Sequence, residues 1–300
     1  MFINDFMEAS LSKTVLKIEG LKKSFKAGFI PKKTEILKGI SFEVSAGSVT
    51  GFLGANGAGK TTTLKCVLEL IFADEGKITF FDGQRLCSDV RRRIGFLPER
   101  PYFYSYLTGR EFLRFYGELS GVLSGSKLNS RIDQMLERVK LTHAADKYLK
   151  NYSKGMLQRV GVAQVLIHRP EFIILDEPMA GLDPDGRMEV SKIIQETSKE
   201  GTSVFFSSHL LHDAEKLCDR LVILKEGNVC YDDKVDKLLN QVSHASTIFY
   251  KKGNGMYELR IEDPKDLQSE IDKLRAEKSD ILEIKKEHLS LEEAFVNMAF

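Results

Sequence analysis

The chain has 300 residues, 42% of them hydrophobic and 29% charged, enough for one large core and a second smaller one, which excludes a disordered chain or a small stapled scaffold. Its 44 basic and 43 acidic residues leave a net charge of +1, so no global field draws it to nucleic acid or anionic lipid, and no nucleic-acid partner is expected. No apolar run reaches the roughly 18 to 20 residues that span a bilayer and no basic-then-apolar leader opens the sequence, so the chain is expected to be neither inserted nor secreted by itself.

Residues 1–13 read as a fraying tail whose Phe2, Ile3, Phe6, Met7 and Leu11 offer a small apolar face. Further on, "SVTGFL" (48–53) reads as a short buried strand that runs into "GANGAGKTT" (54–62), which fits G-x-x-x-x-G-K-[ST]. In that pattern the backbone of Gly54, Ala55, Asn56, Gly57, Ala58 and Gly59 wraps phosphate oxygens. Lys60 reaches the β- and γ-phosphates, Thr61 ligates Mg²⁺, and Thr62 continues the turn. Leu64, Val67, Leu68 and Ile71 then follow at i, i+3, i+4, i+7, the spacing of an amphipathic helix. Strand, glycine loop and helix in this order predict a nucleoside triphosphate site.

Residues 100–151 read as a mostly helical insert, with Thr108 and Glu111 spaced as a capping box before "REFLRFYGEL". Seven of the chain's 28 aromatic residues fall between Tyr102 and Tyr116; they serve either the insert's own core or a surface that meets a partner. At "YSKGMLQRV" (152–160) a Ser-Lys-Gly entry precedes an apolar helix. Taken alone it is either an ordinary cap or a helix start open to an anion.

"FIILDEP" (172–178) is a strand buried on both faces, with Asp176 and Glu177 at its C-terminal end, where open α/β sheets hold their ligands. Asp176 suits the magnesium shell and Glu177 the base that takes a proton from an attacking water. "SVFFSSH" (203–209) is a third strand, ending on His209, which is placed to hydrogen-bond the γ-phosphate and hold that water. His212 lies three residues on, without a third ligand for metal. The four cysteines, Cys66, Cys87, Cys218 and Cys230, form no CxxC pair and read as buried, reduced thiols. After about residue 240, Tyr257, Leu259 and Ile261 alternate as a strand. Leu267, Ile271 and Leu274 follow helical spacing, and the segment closes with "LSLEEAF".

Together these segments resemble the nucleotide-binding subunit of ABC transporters across residues 14–235. "GFLPER" (95–100) stands at the Q-loop, "YSKGMLQR" at the signature, "AGLDP" (180–184) at the D-loop and "SSH" (207–209) at the H-loop. The resemblance implies an α/β P-loop fold with a mixed sheet, a helical signature subdomain and a small C-terminal α+β extension over 240–300. It further implies an ATP- and Mg²⁺-dependent ATPase. Two such subunits, by resemblance a homodimer, bind head to tail, so that Ser153 and Gly155 of one copy meet the γ-phosphate held by the other and Asp183 joins from the D-loop. Phe25 stands where the family stacks an aromatic on adenine, with a core phenylalanine as the competing reading. Glu99 replaces the Q-loop glutamine, keeping an oxygen for Mg²⁺ or the water but losing the amide donors. Lys154 and Met156 replace a glycine and the glutamine of the signature.

By the same resemblance the aromatic insert receives a helix from a transmembrane permease. The chain would then sit in the cytoplasm, attached peripherally to the inner face of the membrane, and would power export. The competing reading is a soluble ABC ATPase acting on the ribosome, nucleic acid or cluster assembly. That class usually carries two cassettes or long inserts, and this chain has one cassette and neither insert.

Overall fold

A computed structural model describes residues 14–27, 32–121, 124–242, 246–253, 255–261, 263, 265–286 and 291. The chain divides into two compact units at Asp232–Asp233. The N-terminal tail and all of "LSLEEAF" except Leu291 lie outside the described residues.

The first unit is organised by a six-stranded sheet in the order β5-β6-β7-β3-β8-β9. Its strands are β3 (Val49–Leu53), β5 (Ile94–Leu97), β6 (Phe172–Asp176), β7 (Ser203–Ser208), β8 (Arg220–Lys225) and β9 (Asn228–Lys234). Neighbours from β5 through β8 run parallel. Every residue of β3, β6 and β7 is buried, which is why these strands show no alternation of apolar and charged positions, even where Thr50, Ser203, Ser207 and Ser208 interrupt the apolar residues. Glu226 and Gly227, both at positive φ, join β8 to β9 in the primed turn whose twist suits a two-residue hairpin.

A second sheet was not evident from the periodicity. β1 (Thr14–Ala27) pairs antiparallel with β2 (Lys32–Ser45) on one side and β4 (Glu75–Phe80) on the other. Its alternation is interrupted: Leu16 and Ile18 are buried, but register shifts between Ile18 and Leu21, around Gly20 at φ 61°, break the period. Phe42 of β2 joins the two sheets, its ring centroid 5.3 Å from Phe52 of β3 and 5.7 Å from Phe205 of β7.

Helix α1 (Lys60–Val67) is shorter than its apolar spacing predicts. Glu69 takes left-handed backbone, φ 54°, which ends the helix, while Ile71 still packs on the same core from the following turn. After α2 (Ser88–Arg92), the insert forms α3 (Gly109–Ser120) and α4 (Gly125–Arg138) with two short 3₁₀ turns. The capping box is complete: Thr108 Oγ1 accepts the Glu111 N–H at 3.2 Å and Glu111 Oε2 accepts the Thr108 N–H at 2.8 Å. The aromatics divide between core and surface. Phe112 is fully buried with Phe103 against it at 5.5 Å, whereas Tyr102, Tyr106 and Phe115 are exposed, as is Leu119. Helices α5 (Lys154–Leu166), α6 (Pro184–Lys199) and α7 (Leu211–Leu217) complete the unit.

The second unit contains α8 (Val235–Val242) and a three-stranded antiparallel sheet with β10 (Ser246–Lys252) between β11 (Gly255–Ile261) and β12 (Asp280–Lys286). Helix α9 (Leu267–Ala276) sets Ile271 and Leu274 against Ile248 and Ile261, a small separate core. Tyr257 faces outward and stacks on Tyr250 with centroids 5.7 Å apart.

Candidate functional site

The site forms where β3 stops. Gly54, at φ 157°, leaves the strand so close to β8 that an added Cβ would collide with the Leu224 carbonyl oxygen. Gly59, at φ 113°, caps α1 in left-handed backbone, pressed against Leu37 and Leu224. A β-carbon fits at neither position, so the loop is held to one path over the first turn of α1. The unpaired N–H groups of that turn and the positive end of its dipole face the opening.

Lys60, only 6% exposed, folds back over the loop. Its Nζ donates to the Gly54 carbonyl at 2.6 Å and to the Ala55 carbonyl at 3.4 Å, and pairs with Glu177 Oε1 at 3.3 Å. The other carboxylate oxygen of Glu177 lies 2.8 Å from His209 Nδ1. Both oxygens of this 9% exposed carboxylate are therefore engaged by basic groups from two other elements. Glu177 itself sits at φ 50°, a conformation costly for a glutamate, which aims it off the end of β6.

Asp176, one residue earlier, points elsewhere. Its Oδ1 accepts the Ser207 hydroxyl at 2.6 Å and lies 3.5 Å from Thr61 Oγ1. Burial pushes its carboxyl above the usual aspartate range, while the hydrogen bonds from Ser207 and Thr61 pull the other way. Ser207 also accepts the Glu177 N–H at 2.9 Å, so one hydroxyl on β7 holds the Asp176 carboxylate and the backbone of Glu177 just past β6.

Lys60, Thr61, Glu177 and His209 line a cavity of about 450 Å³, and buried Asp176 reaches its edge only through its contact with Thr61. Ala55, Asn56, Gly57, Gly59, Lys60, Thr61 and Thr62 form one wall and Glu99, Glu177 and His209 the other. Gly54 and Ala58 lie behind that wall: Gly54 holds Lys60, and buried Ala58 donates its N–H to the Ala55 carbonyl at 3.1 Å. Phe25 is 43% exposed with Lys23 Nζ 5.4 Å above its ring, so it is no core residue, and it does not line the cavity. A loop of backbone donors with a lysine fits a chain of phosphates. The Thr61 hydroxyl and the carboxylates of Asp176 and Glu99 are hard oxygen donors that fit Mg²⁺. Among the described residues no three acidic, His or Cys side chains converge as a metal cage.

Ser153, Gly155 and Asp183 are not in this cavity. They line another, of about 340 Å³, with Lys154 and Gly181. Here Ser153 caps α5, its hydroxyl accepting the Met156 N–H at 3.3 Å, and Asp183 caps α6, accepting the Gly186 N–H at 3.0 Å. Sequence reasoning missed Ser207, although "SSH" contains it; a hydroxyl two residues before His209, on the same strand, was the available signal. It also missed that Lys60 and Glu177 meet.

The ABC transporter family model matches residues 37–180. An ABC transporter ATP-binding protein of Bacillus subtilis (strain 168), YxlF, is 44% identical over 227 residues, 76% of this chain and 73% of the relative. The bacitracin transport ATP-binding protein BcrA of Bacillus licheniformis is 41% identical over 203 residues, 66% of this chain and 65% of its own length. The solved structure of an ATP-binding subunit of an ABC transporter superposes with TM-score 0.69 at 26% identity, covering 96% of this chain and 100% of that one. The phosphate loop, the paired carboxylates of β6 and the histidine closing β7 thus stand in a chain that belongs to the ATP-binding subunits of ABC transporters.

Proposed function

We propose that this chain hydrolyses ATP with Mg²⁺ while paired head to tail with a second copy, and that the cycle of pairing and release drives a separate transmembrane permease, in the direction of export. The observation that carries this reading is the Lys60–Glu177–His209 constellation inside the phosphate cradle.

Each residue then has a stated task. The loop N–H groups and Lys60 grip the β- and γ-phosphates, and taking up phosphate draws Lys60 away from Glu177. That frees one oxygen of the carboxylate to accept a proton from water, while His209 keeps the other and orients it. A positioned base of this kind contributes roughly 10² to 10⁴ in rate. Thr61, Asp176 and Glu99 would hold Mg²⁺, which when bound neutralises charge on the phosphate oxygens. In the paired state Ser153 and Gly155 at the start of α5 present N–H and O–H donors to the γ-phosphate in the cradle of the other copy, with Asp183 alongside. Phe25 stacks on the adenine from the rim.

The exposed Tyr102, Tyr106, Phe115 and Leu119 form the surface offered to the permease. Among the described residues no helix is long and apolar enough to cross a membrane, in keeping with a subunit that docks on the cytoplasmic face through its permease. Export is supported by the relative BcrA, whose own name ties it to bacitracin transport. The test is co-purification from membranes: the native chain should bring down a multi-spanning permease, and replacing Tyr106 and Phe115 with serine should release it while ATP hydrolysis by the free subunit persists. Recovery of ribosomes or nucleic acid instead would overturn the transport reading.

A further inference from the structure

Lys154 stands where helix physics disfavours it. It opens α5, at the positive end of the peptide dipole, in a first turn with no acidic residue to offset it. The side chain is exposed, and among the described residues no carboxylate pairs with it. The acidic groups around the same cavity are engaged elsewhere or left apart. Asp183 accepts the Gly186 N–H, Glu189 holds Arg159 at 3.0 Å and Lys140 at 3.5 Å, and Asp185 lies in the first turn of α6. The ammonium lodges instead over Gly181, which is at φ 66° and where a β-carbon would collide with Nζ. The chain thus keeps an unneutralised cation, against a dipole, at the mouth of an open cavity, over a loop residue bare enough to admit it. A local rule broken without compensation inside the chain marks a group whose partner arrives from outside.

We propose that Lys154 is a phosphate ligand: its ammonium leaves Gly181 for the terminal phosphate of ATP held in the cradle of the paired copy, adding a full charge where Ser153 and Gly155 supply neutral donors. The proposal rests on the head-to-tail pairing proposed above. It makes pairing charge-dependent, because an ammonium meeting a triphosphate is screened by salt in a way that backbone N–H groups are much less.

The test uses the full chain carrying Glu177→Gln, with magnesium and ATP, and follows pairing by sedimentation at low and high KCl. Adding Lys154→Met should raise the ATP concentration for half-maximal pairing about tenfold at low salt, the size of a lost charge-assisted contact, and flatten the salt dependence. Lys154→Arg should restore most of both. ATP affinity of the unpaired chain should stay unchanged, and the melting temperature should hold or rise slightly, since a cation opposed to the dipole has gone. If Lys154→Met pairs with the parent's midpoint and salt slope, the proposal is wrong. It is equally wrong if pairing is lost together with melting temperature and arginine restores neither, since that is a structural role. A Glu177→Gln parent that never pairs would overturn the head-to-tail reading and this proposal with it, a result seen before Lys154 is touched.

Discussion

The cradle over α1 and the cavity at the start of α5 are both helix beginnings lined with small residues, yet the chain completes them differently. In the cradle the charged groups are engaged within the chain: Lys60 meets Glu177, Glu177 meets His209, and Asp176 accepts from the Ser207 hydroxyl and lies close to Thr61. At α5 the capping hydroxyl is satisfied locally, but Lys154 has no carboxylate among the described residues and the groups face solvent. The first is a site that folding assembles, with Lys60, Glu177 and His209 set against one another. On the head-to-tail pairing proposed above, the second is half a site. The difference teaches that charge pairing separates a preassembled centre from one whose other half comes later.

The largest expected effect breaks the cradle's chemistry without its architecture. Glu177→Gln keeps the carbonyl oxygen and the size, so ATP should remain bound while steady-state phosphate release falls roughly 10²- to 10⁴-fold. Release at the native rate would remove Glu177 from the mechanism. Phe112→Ala, which cuts a fully buried ring from the insert, should cost about 3–5 kcal/mol in denaturant unfolding. Phe115→Ala on the exposed side of the same helix should stay within about 0.5 kcal/mol of native, and equal losses would erase the division of the aromatics into core and surface.

Ser207→Ala tests the hydroxyl that serves the Asp176 carboxylate and the Glu177 backbone. It leaves the Glu177 N–H and one Asp176 oxygen short of a partner and should destabilise by about 1–3 kcal/mol, with a fall in turnover measured on the same preparation. Asp176→Asn should give the smallest stability change and the most telling one. Burial raises the Asp176 carboxyl in the folded chain, so its ionisation opposes folding. Stability present at low pH is lost as pH rises from the ordinary aspartate range through the raised value. The nucleotide-free Asn variant should therefore melt above the native chain, by a margin that grows as pH rises through that window, while losing ATP hydrolysis. A margin that does not change with pH would mean that ionised Asp176 is well compensated.

How much of this was legible in the sequence depended on how local each signal is. The glycine loop, the capping box at Thr108 and the buried runs of β3, β6 and β7 are written in consecutive residues, because their geometry is set by neighbours along the chain. Helix α1 was overread since an apolar period continues through Ile71 after Glu69 has turned the backbone. The sheet of β1, β2 and β4 was missed because its bulges break the alternation on which strand recognition depends.

By itself the sequence determined which chemistry is available: a loop that turns on glycines, a lysine at its end, two carboxylates closing one strand and a histidine closing another. Only the tertiary structure decided which of these meet. It brought Lys60 onto Glu177 across 117 positions of chain, set Ser207 against the Asp176 carboxylate and the Glu177 N–H, and left Lys154 over Gly181 with no counter-charge among the described residues. The physical reason is that backbone geometry is a short-range property. The pairing of buried charges depends on which strands lie side by side, and that is settled by the packing of the whole sheet.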